Sequence, residues 1–241
     1  MSVRFIIEVG RPDHAFLAER ICQSIEDAAR ARGTGIARRT PEYIVSKLSE
    51  GKAVVAFAVH DGATEPDFTV EPELPVEPDF AGFCYIESWG GKKYVANSGL
   101  IVLPEYRHSG LARDIKRRAF ELSREKFPEA KLFGITTSHA VMKINTDLGY
   151  IPVPFSELTD DEEFWNGCGS CPNHDILQRT QRRMCLCTGM LYDPGDPRSR
   201  VREAIHRHLV TIELPDRGSA DDHPPLVNRE RLIMEHEVFD V

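Results

Sequence analysis

The sequence predicts a mixed α/β (α+β) fold, a central sheet flanked by helices, followed by a C-terminal cysteine-rich extension. Three observations carry this expectation. Apolar runs of strand length alternate with segments whose apolar residues recur at helical spacing. Three strands in the middle follow one another through turns, as in an antiparallel meander, while later strands are joined by helices and can pair in parallel. Four of the six cysteines crowd into residues 168–187.

The elements read βααβββαβαβ over residues 4–154. Residues 4–9, RFIIEV, form a short strand. Residues 15–31 carry Leu17, Ile21, Ile25 and Ala28 on one helical face, and Gly33 and Gly35 end that helix. Thr40 is the expected N-cap of a second helix, with Pro41 at its first position and Gly51 closing it. The run KAVVAFAVHDG (52–62) is a strand ending in a turn. Residues 63–79, with four prolines and many acids, read as a loop at a hairpin tip. Phe80–Trp89 is the return strand, Gly90–Gly91 a turn, and Tyr94–Leu103 the next strand, stopped by Pro104. A basic helix follows, with Leu111, Ile115, Ala119 and Leu122 on one face. Lys131–Thr137 is a strand, 140–148 a helix and Tyr150–Val153 the last strand of the series. Beyond it, 199–209 is helical in pattern and Pro215–Pro225 reads as flexible.

The 241 residues suffice for one good-sized domain with an appendage. The expected division is 1–158 for the main domain, 159–194 for the cysteine-rich extension and 195–241 for a polar tail. A net charge of -8 argues against a general nucleic-acid or anionic-membrane binder. No apolar run approaches the length of a membrane span. The start, MSVRFIIEVGRPDHAF, is not patterned as a signal peptide. A cytoplasmic location is the default expectation, and for the tail a homodimer arm and a free extension are both open.

The most informative stretch is LIVLPEYRHSGLARDIKRRAF (100–120). A strand stops at Pro104 and a helix begins near Leu111. Between them, Gly110 and Ala112 are small enough to let backbone approach a ligand. The first amides of a helix point outward unpaired, and the helix dipole favours an anion there. Arg107 adds positive charge. The geometry suits a pyrophosphate; the plainer alternative is a strand-to-helix turn with a packing glycine. On the helix that follows, Arg113, Lys116 and Arg117 form a basic face, either solvated or available to a second phosphate.

The cysteines are spaced Cys168-x-x-Cys171 and Cys185-x-Cys187, with thirteen residues between the pairs. That spacing fits a four-thiolate zinc site of structural type, closed to substrate. His174 is an alternative ligand. Two disulfides and buried free thiols are the competing readings.

The segment PEYRHSGLA resembles the R/Q-x-x-G-x-G/A signature of the GCN5-related N-acetyltransferase (GNAT) family, with Ala112 in the last small position. The βααβββαβαβ order over residues 4–154 agrees with that family's fold. The resemblance implies acyl transfer from acetyl-CoA, or a succinyl donor, to a small-molecule amine acceptor. It implies that the backbone amides of His108, Ser109, Gly110, Leu111 and Ala112 hold the pyrophosphate, with Arg107 adding charge. It also implies that strand residues Leu100, Ile101 and Val102 hydrogen-bond the pantetheine arm and donate to the thioester oxygen. The family's general base is often a carboxylate on a neighbouring strand, which points to Glu87; a surface carboxylate at a strand end is the alternative. The family's general acid is a tyrosine whose place here holds Asn145, which cannot protonate a thiolate in the same way. In that family the acceptor site lies under the first helix–helix loop, here ARGTGIARRTPEY, where Arg38 and Arg39 suit carboxylate recognition; a solvated basic loop is the alternative.

Further segments, VANSGLIVLPEYR, GITT, AVMKINTDLGYIPV, FSELTDDEEFWNGCGSC and MCLCTGMLYDP, resemble a bacterial subgroup of these proteins associated with arginine biosynthesis and similar to N-acetylglutamate synthases. That resemblance favours glutamate as acceptor. A protein lysine or polyamine acetyltransferase, and a non-catalytic acyl-CoA or zinc-based interaction protein, are the alternatives.

Overall fold

A computed structural model describes residues 3–33, 38–60 and 79–211. The proline-rich stretch expected at the hairpin tip, Gly35 and Pro215–Pro225 lie outside the described residues.

The elements, in chain order, are β1 (Val3–Val9), α1 (Ala18–Arg32), α2 (Pro41–Ser49), β2 (Ala53–His60), β3 (Asp79–Trp89), β4 (Tyr94–Val102), α3 (Leu111–Lys126), β5 (Lys131–Thr136), α4 (His139–Asp147) and β6 (Ile151–Val153). Two short helices follow, α5 (Glu162–Asn166) and α6 (His174–Arg179), then β7 (Thr188–Tyr192) and α7 (Pro197–Thr211). The helix ends are made as the side chains dictate. Thr40 accepts from the Tyr43 amide at the start of α2, and Gly33 caps α1 in the left-handed conformation (φ 62°).

The strands form one seven-stranded sheet in the order β1-β2-β3-β4-β5-β7-β6. The meander β1 to β4 is antiparallel. Strand β5, reached through α3, pairs with β4 in parallel, as expected for strands joined by a helix. Strand β7 was not anticipated. It is short, and it follows the cysteines rather than an apolar helix. It inserts antiparallel between β5 and β6, so the segment after residue 159 returns to the sheet.

Both sheet faces are covered. Along β2, Val54, Ala56 and Ala58 face α3, where Leu111, Ile115, Ala119 and Leu122 are buried as their spacing predicts. The alternate residues Ala53, Val55 and Phe57 face α1 and α2, against Ile21, Ile25, Ile44 and Leu48. This two-sided burial explains the near-continuous apolar run of β2. A third cluster joins Phe133 and Leu191 of the sheet to Phe155, Leu158, Trp165 and Leu177 of the extension. Asp161 ties that extension to the β3–β4 turn by accepting from the Gly90 amide at 2.9 Å.

Two departures from regular pairing shape the middle of the sheet. Opposite Cys84 of β3, strand β4 carries two residues, Gly99 and Leu100, between the pairs Ser98–Tyr85 and Ile101–Phe83. This is a β-bulge, and Gly99 supplies the positive φ of 66° that it requires. A Cβ at Gly99 would also lie 2.8 Å from the Tyr85 ring. Second, β4 and β5 pair only from Tyr94–Lys131 to Ala96–Phe133. Past that point the two parallel strands no longer pair, and the sheet opens.

Candidate active site

A cavity of about 540 Å³ occupies the opening. Its walls include Asn97, Ser98, Gly99 and Leu100 of β4 and Gly134, Ile135 and Thr136 of β5. On the α1/α2 side it reaches Arg38, Arg39, Tyr43 and Glu87. On the α3 side it reaches Lys116. A cavity that touches both faces of a sheet needs a gap in the strand pairing, and the splay of β4 from β5 provides it. Trp89, Phe164 and all four clustered cysteines close the third side.

The α1/α2 wall is a connected polar group. The Glu87 carboxylate accepts from the Tyr43 hydroxyl at 2.8 Å and forms an ion pair with the buried Lys47. Arg39 donates to the Tyr85 hydroxyl at 2.7 Å, and its guanidinium lies 5.2 and 5.5 Å from the Tyr43 and Tyr85 ring centroids. Burial, then the neighbouring Tyr85 and Glu87, push the Tyr43 hydroxyl far above its usual range. Tyr43 is therefore a fixed donor. Glu87 is held by a charge and a hydroxyl in one orientation, with its strand end at the cavity rather than in bulk solvent. Tyr43 and Lys47 were not singled out from the sequence. Their four-residue spacing on α2 and their position just after the arginine loop were the available signal.

On the other face, Lys116 is 2% exposed. The expectation of a basic face shared by Arg113, Lys116 and Arg117 is corrected here. Arg113 and Arg117 are exposed, whereas Lys116 follows Ile115 on the buried stripe of α3 and points into the sheet. Its Nζ donates to the Asn97 carbonyl at 3.3 Å and stands 5.8 Å from the Tyr150 ring centroid.

The anion-loop candidates form one turn outside the cavity. Arg107, His108, Ser109 and Gly110 are exposed, and Leu111 begins α3. His108 (φ 66°) and Gly110 (φ 90°) are both left-handed, which turns the chain sharply onto the helix. Ser109 donates to the Tyr106 carbonyl at 2.7 Å, and Arg107 Nε donates to the Val102 carbonyl at 3.3 Å. The first-turn amides of α3 face outward there. Of the three strand candidates, Leu100 lines the cavity, while Ile101 and Val102 continue the pairing with β3.

Asn145 sits on α4, 1% exposed, apart from the cavity-lining residues. Its Oδ1 has no hydrogen-bond partner among the described residues. Cys168, Cys171, Cys185 and Cys187 carry free thiols and line the cavity together. Burial and then the neighbouring cysteines raise the Cys168 thiol to about 11 and the Cys187 thiol to about 12. As placed, no three His, Cys, Asp or Glu donors among the described residues come together around one metal position. The fit to a four-thiolate site thus rests on spacing, not on the present arrangement. No helix among the described residues is long and apolar enough to cross a membrane.

No family model and no curated protein matches the chain. Solved structures do. N-acetylglutamate synthase from Neisseria gonorrhoeae, complexed with coenzyme A and N-acetyl-glutamate, matches with a TM-score of 0.50 at 14% identity, covering 79% of this chain and 35% of that one. The chain therefore spans about a third of the length of that enzyme. A Mycobacterium tuberculosis protein in complex with CoA matches with a TM-score of 0.48 at 14% identity, over 77% of this chain and 97% of that one. An acetyltransferase of the GNAT family from Staphylococcus aureus matches with a TM-score of 0.47 at 10% identity, over 66% and 91%. The fold of this chain is the GNAT fold: a mixed sheet whose fourth and fifth strands splay apart, with helices on both faces.

Proposed function

We propose that the chain is an acyl-CoA-dependent N-acyltransferase that moves an acetyl group, or a succinyl group, to the α-amine of a small amino acid, glutamate favoured. The observation that carries this is the opening between β4 and β5 beside the bulge at Gly99–Leu100. Strand backbone freed from pairing there can hydrogen-bond an extended amide-bearing arm. At the bulge a backbone amide is available to a thioester oxygen, so Leu100 is the oxyanion donor and Ile101 and Val102 continue the strand that the arm follows. The turn Arg107–Ala112 supports a pyrophosphate at the start of α3.

Glu87, fixed by Tyr43 and Lys47, takes the proton of the incoming amine, directly or through one water. Arg38 and Arg39 at the same cavity suit an acceptor carboxylate, and a guanidinium favours an acidic acceptor over a polyamine or lysine side chain. The synthase whose fold this chain shares is complexed with N-acetyl-glutamate, which agrees with that choice. Coenzyme A binding by calorimetry, followed by coenzyme release over a panel of amino acids, tests the reading. Turnover with glutamate supports it. Coenzyme binding without turnover for any amine supports a non-catalytic acyl-CoA-binding protein instead. For the cysteines, a structural zinc ion is supported by spacing alone. Metal analysis showing one zinc per chain bears it out, and well under one, with four titratable thiols, refutes it.

A further inference from the structure

Lys116 is a buried lysine that the reaction outlined above does not use. Three observations single it out. It has no carboxylate partner among the described residues, although an unpaired ammonium in a protein interior is costly. Its hydrogen-bond acceptor, the Asn97 carbonyl, belongs to the first β4 residue past the last β4–β5 pair, Ala96–Phe133, and so marks the apex of the splay. It lines the same cavity as Ser98, Gly99 and Leu100 of the bulge and as Glu87, which approaches from the opposite face of the sheet. The apex is well supported: Asn97 also accepts from Tyr150 at 3.0 Å and donates to Ser123 at 2.8 Å.

We propose that Lys116 is the group that protonates the departing thiolate of the acyl donor, in place of the tyrosine that Asn145 replaces. The proposal rests on the acyl-CoA reading of the cavity. The acceptor nitrogen forms a bond to the thioester carbon, and the carbon–sulfur bond breaks with its electron pair going to sulfur. The proton shed by nitrogen goes to the Glu87 carboxylate, and the Lys116 ammonium gives one to sulfur. Exchange with solvent then returns a proton from Glu87 to Lys116. Burial draws the Lys116 ammonium below the usual lysine range, which makes it a stronger acid than an exposed lysine. The titratable groups facing Lys116 are the buried Cys84 thiol from β3 and the Tyr150 phenol. Both are held protonated, chiefly by burial.

The test needs no acceptor. Ultraviolet titration of the coenzyme A complex against the desulfo-coenzyme A complex of the same full chain follows the bound coenzyme thiol and cancels the protein thiols; a Cys84→Ser background removes the one beside Lys116. With Lys116 present, the bound thiol is expected to titrate about one pH unit below free coenzyme A. With Lys116→Met it returns to the free value or above. The same titration midpoint in both proteins overturns the proposal. A readout on the unmodified chain guards against a misfolded variant. Between pH 6 and pH 9, where the thiol begins to ionise, coenzyme A should tighten several-fold relative to desulfo-coenzyme A, toward the tenfold equivalent to one pKa unit. A pH-independent ratio overturns it. If the parent chain binds neither compound, the acyl-CoA reading itself falls, an outcome distinct from an unshifted thiol.

Discussion

At the scale of single residues, the site is organised by what holds each charge. Glu87 accepts from Tyr43 and pairs with Lys47, so replacing it by glutamine keeps the size but removes the proposed proton acceptor. Glu87→Gln is expected to lower kcat by about 10²–10⁴-fold with little change in coenzyme affinity, as steady-state kinetics and calorimetry would show. Lys116 makes a stability prediction with a definite sign. Burial lowers its folded-state pKa, so the unfolded chain binds the proton more readily. Stability then rises with pH between the folded and unfolded lysine values and is lost as pH falls through the folded value. Lys116→Met should therefore be more stable than the parent near neutral pH, by a margin that shrinks toward about pH 10.4, the unperturbed lysine value. Denaturant unfolding at several pH values checks it, and a margin independent of pH would contradict it. Glu87 and Arg39 were both legible in the sequence. Lys116 was grouped with Arg113 and Arg117 on a basic face, either solvated or open to a second phosphate, because helical spacing assigns a stripe but cannot say how wide the sheet's contact with it is.

At the scale of elements, the turn into α3 and the bulge in β4 do different work. Gly110 lies at φ 90° with open space where a Cβ would sit. A side chain there meets no neighbour, and the backbone strain is about 1–2 kcal/mol. Gly110→Glu is accordingly predicted to leave the fold intact while placing a negative charge where the pyrophosphate is proposed, abolishing coenzyme binding by calorimetry. Unchanged affinity would refute the assignment of that turn. The bulge at Gly99–Leu100 was not anticipated. A glycine inside an apolar strand hints at one, but its position opposite Cys84 depends on the register with β3.

For the whole molecule, the segment after residue 159 is part of the sheet. Strand β7 pairs with β5 on one side and β6 on the other, and Met190, Leu191 and Tyr192 are buried. A chain ended at Cys187 loses the common neighbour of β5 and β6 and opens the cluster around Phe133. It is expected to show a clearly lower Tm and loss of coenzyme binding together, measured by thermal unfolding and calorimetry; a full-length Tm would argue against this role. The four cysteines, on the segment between β6 and β7, line the cavity.

Local pattern by itself determined the order of elements through β6, the buried faces of α1 and α3, the Thr40 cap and the strand-to-helix turn at 107–112. Each depends on spacing or side-chain chemistry within a few residues. Only the tertiary structure decided the place of β7, the splay of β4 from β5, the bulge, and the meeting of Glu87 and Lys116 at one cavity. These follow from pairings between residues tens of positions apart, where a shift of one residue in register moves every side chain to the opposite face.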